Sequence, residues 1–208
     1  WGTSSELSEQ IVDCPHSTPR YGQGDSFAVD TTCMVPGALV LDQLRRVERE
    51  TYAHRTARLV PRAGDVVFAR EGTVGTAVSL PAEPKVCLGQ RVMLLRPSVT
   101  LGSRWLELAL MSPPVVEQYQ RRLVGTTVPH LNVSDVVRLA IPLPPLAEQQ
   151  PILDLVHKLA ANVDSACDAR AEAAEGLDSL DASILAKAFR GELVPQNPND
   201  EPASSMLE

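Results

Sequence analysis

The pattern of apolar and polar positions divides the chain into two parts. From Ile11 to about Ile141, short apolar runs alternate with turns: Val66–Ala69, Val74–Leu80 and Gln90–Arg96 are bounded by glycine, proline or acidic residues. Short runs with many β-branched side chains and such boundaries are typical of strands. This pattern predicts an α+β fold for the front part, with more sheet than helix.

Two short helices are predicted within this front part. They cover Trp105–Met111 and Val115–Leu123 and are separated by Ser112, Pro113 and Pro114. Proline is well tolerated in the first turn of a helix, where its missing N–H has no partner to lose. We therefore expect the two prolines to begin the second helix.

Beyond Leu146 the periodicity changes and predicts one long helix from about Ala147 to Arg190, because apolar positions recur at alternating steps of four and three. Gly191 and Pro195 follow as a C-terminal cap and stop. Such a helix is about 66 Å long. A domain of the size of the front part is roughly 30–40 Å across, so we expect most of the helix to project.

The apolar positions of this helix form one seam, which Arg170 and Lys187 interrupt. An exposed stripe of this kind is not stable in water, so the seam predicts a partner helix, either from a second copy of the chain or from a larger protein. The alternative is a break at Gly176 that folds the helix back on itself. The predicted pairing residues are Ile152, Val156, Leu159, Val163, Ala166, Ala173, Leu177, Leu180 and Ile184.

Charge is unevenly distributed behind a net value of −7. Residues 151–208 hold 4 Lys+Arg and 11 Asp+Glu, which leaves 19 − 4 = 15 and 26 − 11 = 15 for residues 1–150. DNA binding needs cations against phosphate, and the balanced charge of the front part is compatible with a basic face there. Of its basic residues all but Lys85 are arginine; the arginine fork suits phosphates and guanine edges, although a codon preference also explains the bias.

Enzyme motifs are mostly missing. There is no phosphate loop, no HExxH and no CxxC pair, and the widely spaced cysteines favour a reducing, cytoplasmic setting. Asp65, Glu83 and Lys85 are the residue types of a magnesium-dependent nuclease. The alternative for these three residues is a cluster of loop charges.

The junction between the two parts carries the most specific motif. Gly125–Asn132 followed by the proline-rich Ile141–Gln150 closely resembles the end of a target recognition domain and the start of a conserved helix in type I restriction–modification specificity subunits. Ile184–Pro195 resembles the end of that helix, and Ser17–Pro19 and Gly64–Gly75 fit the front of the domain. The family's usual subunit has two such domains and two helices, so this chain resembles half of one, or a natural half-length version.

The resemblance implies a domain layout and a mode of pairing. Residues 1–145 correspond to a DNA target recognition domain, 146–191 to a spacer and dimerisation helix, and 192–208 to a flexible tail. In the family the two helices pack as an antiparallel coiled coil, and each domain reads one half of a bipartite target. For a homodimer the two half-sites would be inverted copies.

The resemblance also implies a non-catalytic role in double-stranded DNA recognition. The family's subunit holds adenine-N6 methyltransferase subunits, and a restriction/translocase subunit can join them. S-adenosylmethionine, ATP and magnesium belong to those partners, and this chain itself is expected to bind no cofactor. The alternatives are a stand-alone nuclease using Asp65, Glu83 and Lys85, and a coiled-coil scaffold whose front domain does not bind DNA.

Base reading requires donors and acceptors on turns that can enter the major groove. The candidates lie on four segments: the first loop, the glycine-rich turn, the start of a predicted strand and the loop before the long helix. They are Ser17, Thr18, Arg20 and Tyr21; Arg70, Thr73 and Val74; Gln90 and Arg91; and Thr126, Thr127 and His130. For Arg70 the alternative is a pair with a neighbouring residue, and for His130 a structural role at the junction.

Overall fold

The computed structural model describes residues 1–125, 127–193 and 199. The strands are β1 (Gly2–Thr3), β2 (Ser8–Asp13), β3 (Tyr21–Val29), β4 (Met34–Val35), β5 (Ala38–Leu39), β6 (Arg45–Val47), β7 (Val66–Ala69), β8 (Ala77–Ser79), β9 (Val86–Leu88), β10 (Val92–Pro97) and β11 (Ala140–Ile141). The helices are α1 (Ser4–Leu7), α2 (Arg49–Arg55), α3 (Ser103–Leu110), α4 (Pro113–Gln120), α5 (Val133–Val137) and α6 (Leu146–Phe189). The predicted α+β class is confirmed.

The central sheet has the strand order β2-β10-β7-β8, with every neighbour antiparallel. Every residue of Val66–Ala69 is buried, because both faces of β7 are covered. Successive side chains of a strand point to opposite faces, so Val66 and Phe68 enter one core cluster while Val67 and Ala69 enter the other. A buried central strand therefore has the continuous apolar run that the sequence shows.

Each core cluster is closed by a different layer. Helices α3, α4 and α5 cover the first face, where the rings of Phe68 and Tyr119 meet edge to face with centroids 6.2 Å apart. The second face packs against a sheet of order β6-β3-β9, in which β3 is antiparallel to β6 and parallel to β9. The result is a layer of helices and two sheets, with the two larger core clusters between these layers.

Two predicted strands are too long at their N-terminal ends. The strand expected over Val74–Leu80 begins at Ala77, because the chain first turns through Gly75, whose φ is +100°. A Cβ at Gly75 would lie 2.0 Å from Tyr119 Oη, so this turn requires glycine. The strand expected from Gln90 begins at Val92, since Arg91 has a φ of +68° and ends a turn. The prediction that Pro113 and Pro114 begin a helix is confirmed in α4.

The chain divides into two compact units, Trp1–Asp154 and Leu155–Glu208. The first turns of α6 belong to the first unit, nine residues beyond the end of the recognition domain expected at 145. Gln149 is only 3% exposed, and its side-chain amide accepts from Gly102 N at 2.9 Å and donates to the carbonyls of Thr100 and Pro144. Leu153, one turn later, is also buried, so these contacts fix the start of the helix to the first unit.

Helix α6 runs without a break through Gly176, so the alternative of a helix that turns back at this glycine is wrong. The end of the helix matches its prediction. Gly191 has a φ of +71° and donates to Ala188 O at 3.0 Å, and Glu192 N donates to Lys187 O at 2.8 Å. This pair of bonds is the Schellman cap that glycine permits. Of the tail expected over 192–208, residues 192, 193 and 199 are described.

The apolar seam of α6 is exposed in the second unit. Leu159, Val163, Leu177 and Leu180 are 54–64% exposed. Two of the predicted pairing residues are less exposed than these. Ile152 packs against the core of the first unit, and Val156 is half-buried. Within residues 1–125 and 127–193, no helix is long and apolar enough to cross a bilayer.

Candidate nucleic-acid interface

The register of the central sheet brings the predicted reading loops to one end of its strands. Asp13 at the end of β2 pairs with Met93 near the start of β10, and Val92 pairs with Ala69 at the end of β7. Because neighbouring strands are antiparallel, the loop after β2, the turn before β10 and the loop after β7 emerge at the same end. Three of the four predicted segments thus lie together, although they are far apart in the sequence.

Direct contacts join the first loop to the turn before β10. Thr18 Oγ1 donates to Gln90 Oε1, and Gln90 Nε2 donates to the carbonyl of His16, each at 3.5 Å. Beneath them lies Arg55, which is 6% exposed. Its Nη1 donates to the carbonyls of Leu88 and Gly89 at 2.9 Å.

The second guanidinium nitrogen of Arg55, Nη2, donates to the carbonyl of Ser17. One buried arginine therefore ties α2, the first loop and the turn before β10 together. Sequence reasoning missed this residue. Its only signal was an arginine at the end of a short polar segment.

The fourth segment, the loop before the long helix, is joined to the glycine-rich turn by backbone bonds. Gly72 N donates to Pro129 O at 3.0 Å, and Leu131 N donates to Arg70 O at 2.8 Å. His130 forms isolated antiparallel bridges with Glu71 and Val124. All four predicted segments therefore meet at one end of the sheet.

The structure does not support Arg70 as a base-reading residue. Its Nε and Nη2 donate to the two carboxylate oxygens of Asp13 at 2.8 and 3.1 Å, and its side chain is 7% exposed. Burial by itself lowers the pKa of Arg70, but the hydrogen bonds and charge of Asp13 outweigh it and raise the pKa, so the group stays charged. Because the fork is already occupied, we interpret Arg70 as the link between the ends of β2 and β7.

Tyr21 and Val74 are also turned inward. Tyr21 begins β3, its hydroxyl donates to Asp30 Oδ2 at 3.4 Å, and the guanidinium of Arg45 lies 3.8 Å from its ring centroid. Val74 packs against the first core cluster. These side chains therefore pack within the domain, and other residues of the loops form the exposed surface.

The exposed members of the predicted set are Ser17, Thr18, Arg20, Thr73, Arg91 and Thr127. Arg91 is 51% exposed and its Nε lies 4.0 Å from Glu71 Oε1, which leaves most of its fork open to solvent. Gln90 and His130 are half-buried. Thr126 lies outside the described residues.

Sequence reasoning missed two exposed cations beside these loops. Arg121 and Arg122 follow α4 and precede the loop that pairs with the glycine-rich turn. Tyr119 anchors this end of α4, since its hydroxyl reaches Gly75. Two consecutive arginines before a glycine-containing loop were the available signal.

The nuclease alternative has no geometric support. Asp65 is fully buried, and its carboxylate accepts from Arg96 Nε at 2.7 Å, from Arg96 Nη2 at 2.8 Å and from Arg62 N at 2.8 Å. It lies at the start of β7, at the opposite end of the strand from the loops. Among the residues described, no group of three or more His, Cys, Asp or Glu side chains is arranged to hold a metal ion.

The family model for the type I restriction modification DNA specificity domain matches residues 42–172, more than half of the chain. The chain therefore belongs to this family, and the family expected from the junction motifs is confirmed. Among curated relatives, the EcoBI specificity subunit of Escherichia coli is 28% identical over 164 residues, 77% of this chain and 34% of that protein. The EcoDI specificity subunit of the same organism is 41% identical over 71 residues, 34% of this chain and 16% of that protein.

Solved structures share the fold of this chain. The HsdS subunit from Thermoanaerobacter tengcongensis superposes with a TM-score of 0.56 and 25% identity, covering 93% of this chain and 45% of that one. A chain from a structure of type I R-M complex assembly and conformational transition has a TM-score of 0.62 at 24% identity, covering 93% and 46%. This chain thus spans about half the length of its solved neighbours.

Proposed function

We propose that this chain is a non-catalytic DNA recognition subunit of a type I restriction–modification system, and that the loops at one end of the central sheet read one half of a bipartite target. The observation that carries the proposal is the sheet register, which gathers exposed donors from four distant segments at one edge. Family membership supports DNA as the ligand. Among the exposed candidates, Arg91, Thr73 and Thr127 are the side chains that we propose to read bases.

Helix α6 has a separate role in this proposal, which is pairing with a second copy of itself. The exposed seam needs a cover, and a second helix with the same seam supplies one. Antiparallel pairing of two copies makes a two-fold symmetric dimer. The half-sites read by such a dimer are inverted copies of each other.

The partners belong to the same proposal. Adenine-N6 methyltransferase subunits, and a restriction/translocase subunit where one is present, supply the chemistry in the cytoplasm. S-adenosylmethionine, ATP and magnesium then bind to those subunits. The role of this chain is to place them on DNA.

The test is selection of sequences from a random duplex pool by the purified chain, followed by binding measured over a salt series. We expect enrichment of an inverted repeat and an affinity that falls linearly with salt on logarithmic axes. If the chain binds no duplex even at low salt, the scaffold alternative, in which the front domain does not bind DNA, is favoured. Methyl transfer or DNA cleavage by the purified chain would refute the non-catalytic role, and loss of cleavage in Glu83→Ala would assign it to the nuclease alternative.

A further inference from the structure

A polar cleft lies between the first loop and α2, beside the proposed reading loops. It has a volume of about 380 Å³. Its lining residues are Ser17, Thr18, Arg20, Glu50, Thr51, His54 and Arg55. Thr18 lines this cleft and donates to Gln90 in the turn before β10, so the cleft directly adjoins the reading loops.

Among the described residues, the guanidinium of Arg55 forms no direct ion pair with a carboxylate. Its hydrogen-bond acceptors are the carbonyls of Leu88, Gly89 and Ser17 and the hydroxyl of Ser17. None of the ion pairs in the described part of the chain includes Arg55, whereas the buried guanidiniums of Arg70 and Arg96 each face an aspartate. Neutral carbonyls satisfy its N–H groups but leave a full positive charge in a buried place, where charge is poorly screened.

The other lining groups favour an anion of low charge. With neutral histidine, the cleft holds the two guanidiniums of Arg20 and Arg55 against the carboxylate of Glu50, a balance of 2 − 1 = +1. The hydroxyl of Thr51 adds a donor at the rim. A phosphodiester carries one negative charge and accepts from such donors.

We propose that this cleft binds one backbone phosphodiester of duplex DNA next to the bases that the reading loops contact. The assignment rests on the proposed function and adds a contact to it. Phosphate contacts set the register and orientation of a protein on DNA but carry no sequence information. Arg20, at the exposed mouth of the cleft, makes the direct contact, and Arg55 acts through its charge and by holding Ser17 in place.

The test compares Arg20→Gln with Arg62→Gln in the full chain. Both arginines are exposed, but Arg62 precedes the start of β7, at the opposite end of the strand from the loops. Duplex binding is measured by anisotropy over a salt series. For Arg20→Gln we expect weaker binding of all sequences, an unchanged selected motif, and a fall of about one in the slope of log affinity against log salt. Arg62→Gln is expected to match the wild type.

A second measurement separates DNA from free phosphate. Backbone NMR signals of Thr18 and Thr51 are followed while inorganic phosphate, or duplex, is added at constant ionic strength. We expect both ligands to shift these signals in the wild type. In Arg20→Gln we expect inorganic phosphate to leave them unchanged, whereas duplex, which the variant still binds through the reading loops, shifts them less than in the wild type. Signals that respond to phosphate alone would mean that the cleft does not hold the DNA backbone.

The two proposals fail in different ways. A wild-type chain that binds no duplex contradicts the proposed function itself. A wild type that binds duplex while Arg20→Gln keeps its salt slope, or while Arg62→Gln loses as much, contradicts only the phosphate cleft.

Discussion

The two units of the chain place their apolar side chains in opposite environments. In Trp1–Asp154 the middle strands of the central sheet are buried on both faces, and residues such as Phe68 and Leu95 have no exposed surface. In Leu155–Glu208 the leucines of α6 are more than half exposed. The first unit closes its own core, whereas the second leaves the apolar seam of α6 exposed.

Charge divides the chain at nearly the same point. The first 150 residues are neutral overall, and the rest carry the whole net charge of −7. Salt should therefore act on the two proposed interactions in opposite directions. It lowers the affinity for DNA, because the counterions that binding releases gain less entropy at high salt. It favours pairing of two acidic helices, because it screens their repulsion. The two functions that we propose can thus be separated by ionic strength alone.

The largest expected effect is loss of the proposed pairing between two copies of α6. Burying one leucine contributes about 1.5–3 kcal/mol, and a symmetric pair of helices buries Leu177 and Leu180 twice. The double variant Leu177→Asp/Leu180→Asp also places charge in the seam. We expect it to be a monomer under conditions where the wild type sediments as a dimer.

The matched control adds the same two charges on the other side of the helix, as Ser179→Asp/Ala182→Asp. It should remain dimeric, with helicity equal to that of the wild type. An unchanged mass for the seam variant, or a monomeric wild type, would contradict pairing between two copies of α6.

Periodicity explains how much of the fold could be predicted. Val66–Ala69 was predicted with its observed bounds because a strand buried on both faces has an uninterrupted apolar run. The long helix was predicted to within one residue at each end, since its apolar positions keep the same spacing along almost its whole length and Gly191 caps it. Both signals are local. They depend only on residues that are close in the sequence, so they can be recognised without knowledge of the tertiary structure.

The candidate site was less predictable because its order comes from contacts between distant residues. Arg70 looked like an exposed arginine on a glycine-rich turn, and only the pairing of β2 with β10 and of β10 with β7 brings Asp13 to it. Arg55 is 38 residues from Ser17. No spacing rule reveals which arginine serves structure and which remains free for a ligand.

The next prediction separates those two kinds of arginine within the first unit. Removing one partner of a buried ion pair costs about 3–5 kcal/mol because it leaves the other charge uncompensated. Arg70→Ala should lower the free energy of unfolding by about 3 kcal/mol, toward the lower figure because Asp13 keeps some exposure. Urea denaturation measures this change. A stable Arg70→Ala with altered sequence preference would return Arg70 to the base-reading set.

The smallest effect is expected at Arg91, where affinity and stability should move independently. Its φ of +68° is strained for a side chain with a Cβ, so Arg91→Gly removes the guanidinium and relaxes the backbone at once. We expect the free energy of unfolding to stay within about 1 kcal/mol of the wild type. If the fork contacts a guanine, affinity for the selected duplex should fall by about 1–3 kcal/mol and discrimination at one base pair should relax. Equal affinity of variant and wild type for that duplex would leave Arg91 as a turn residue only, and would move base reading toward Thr73 and Thr127.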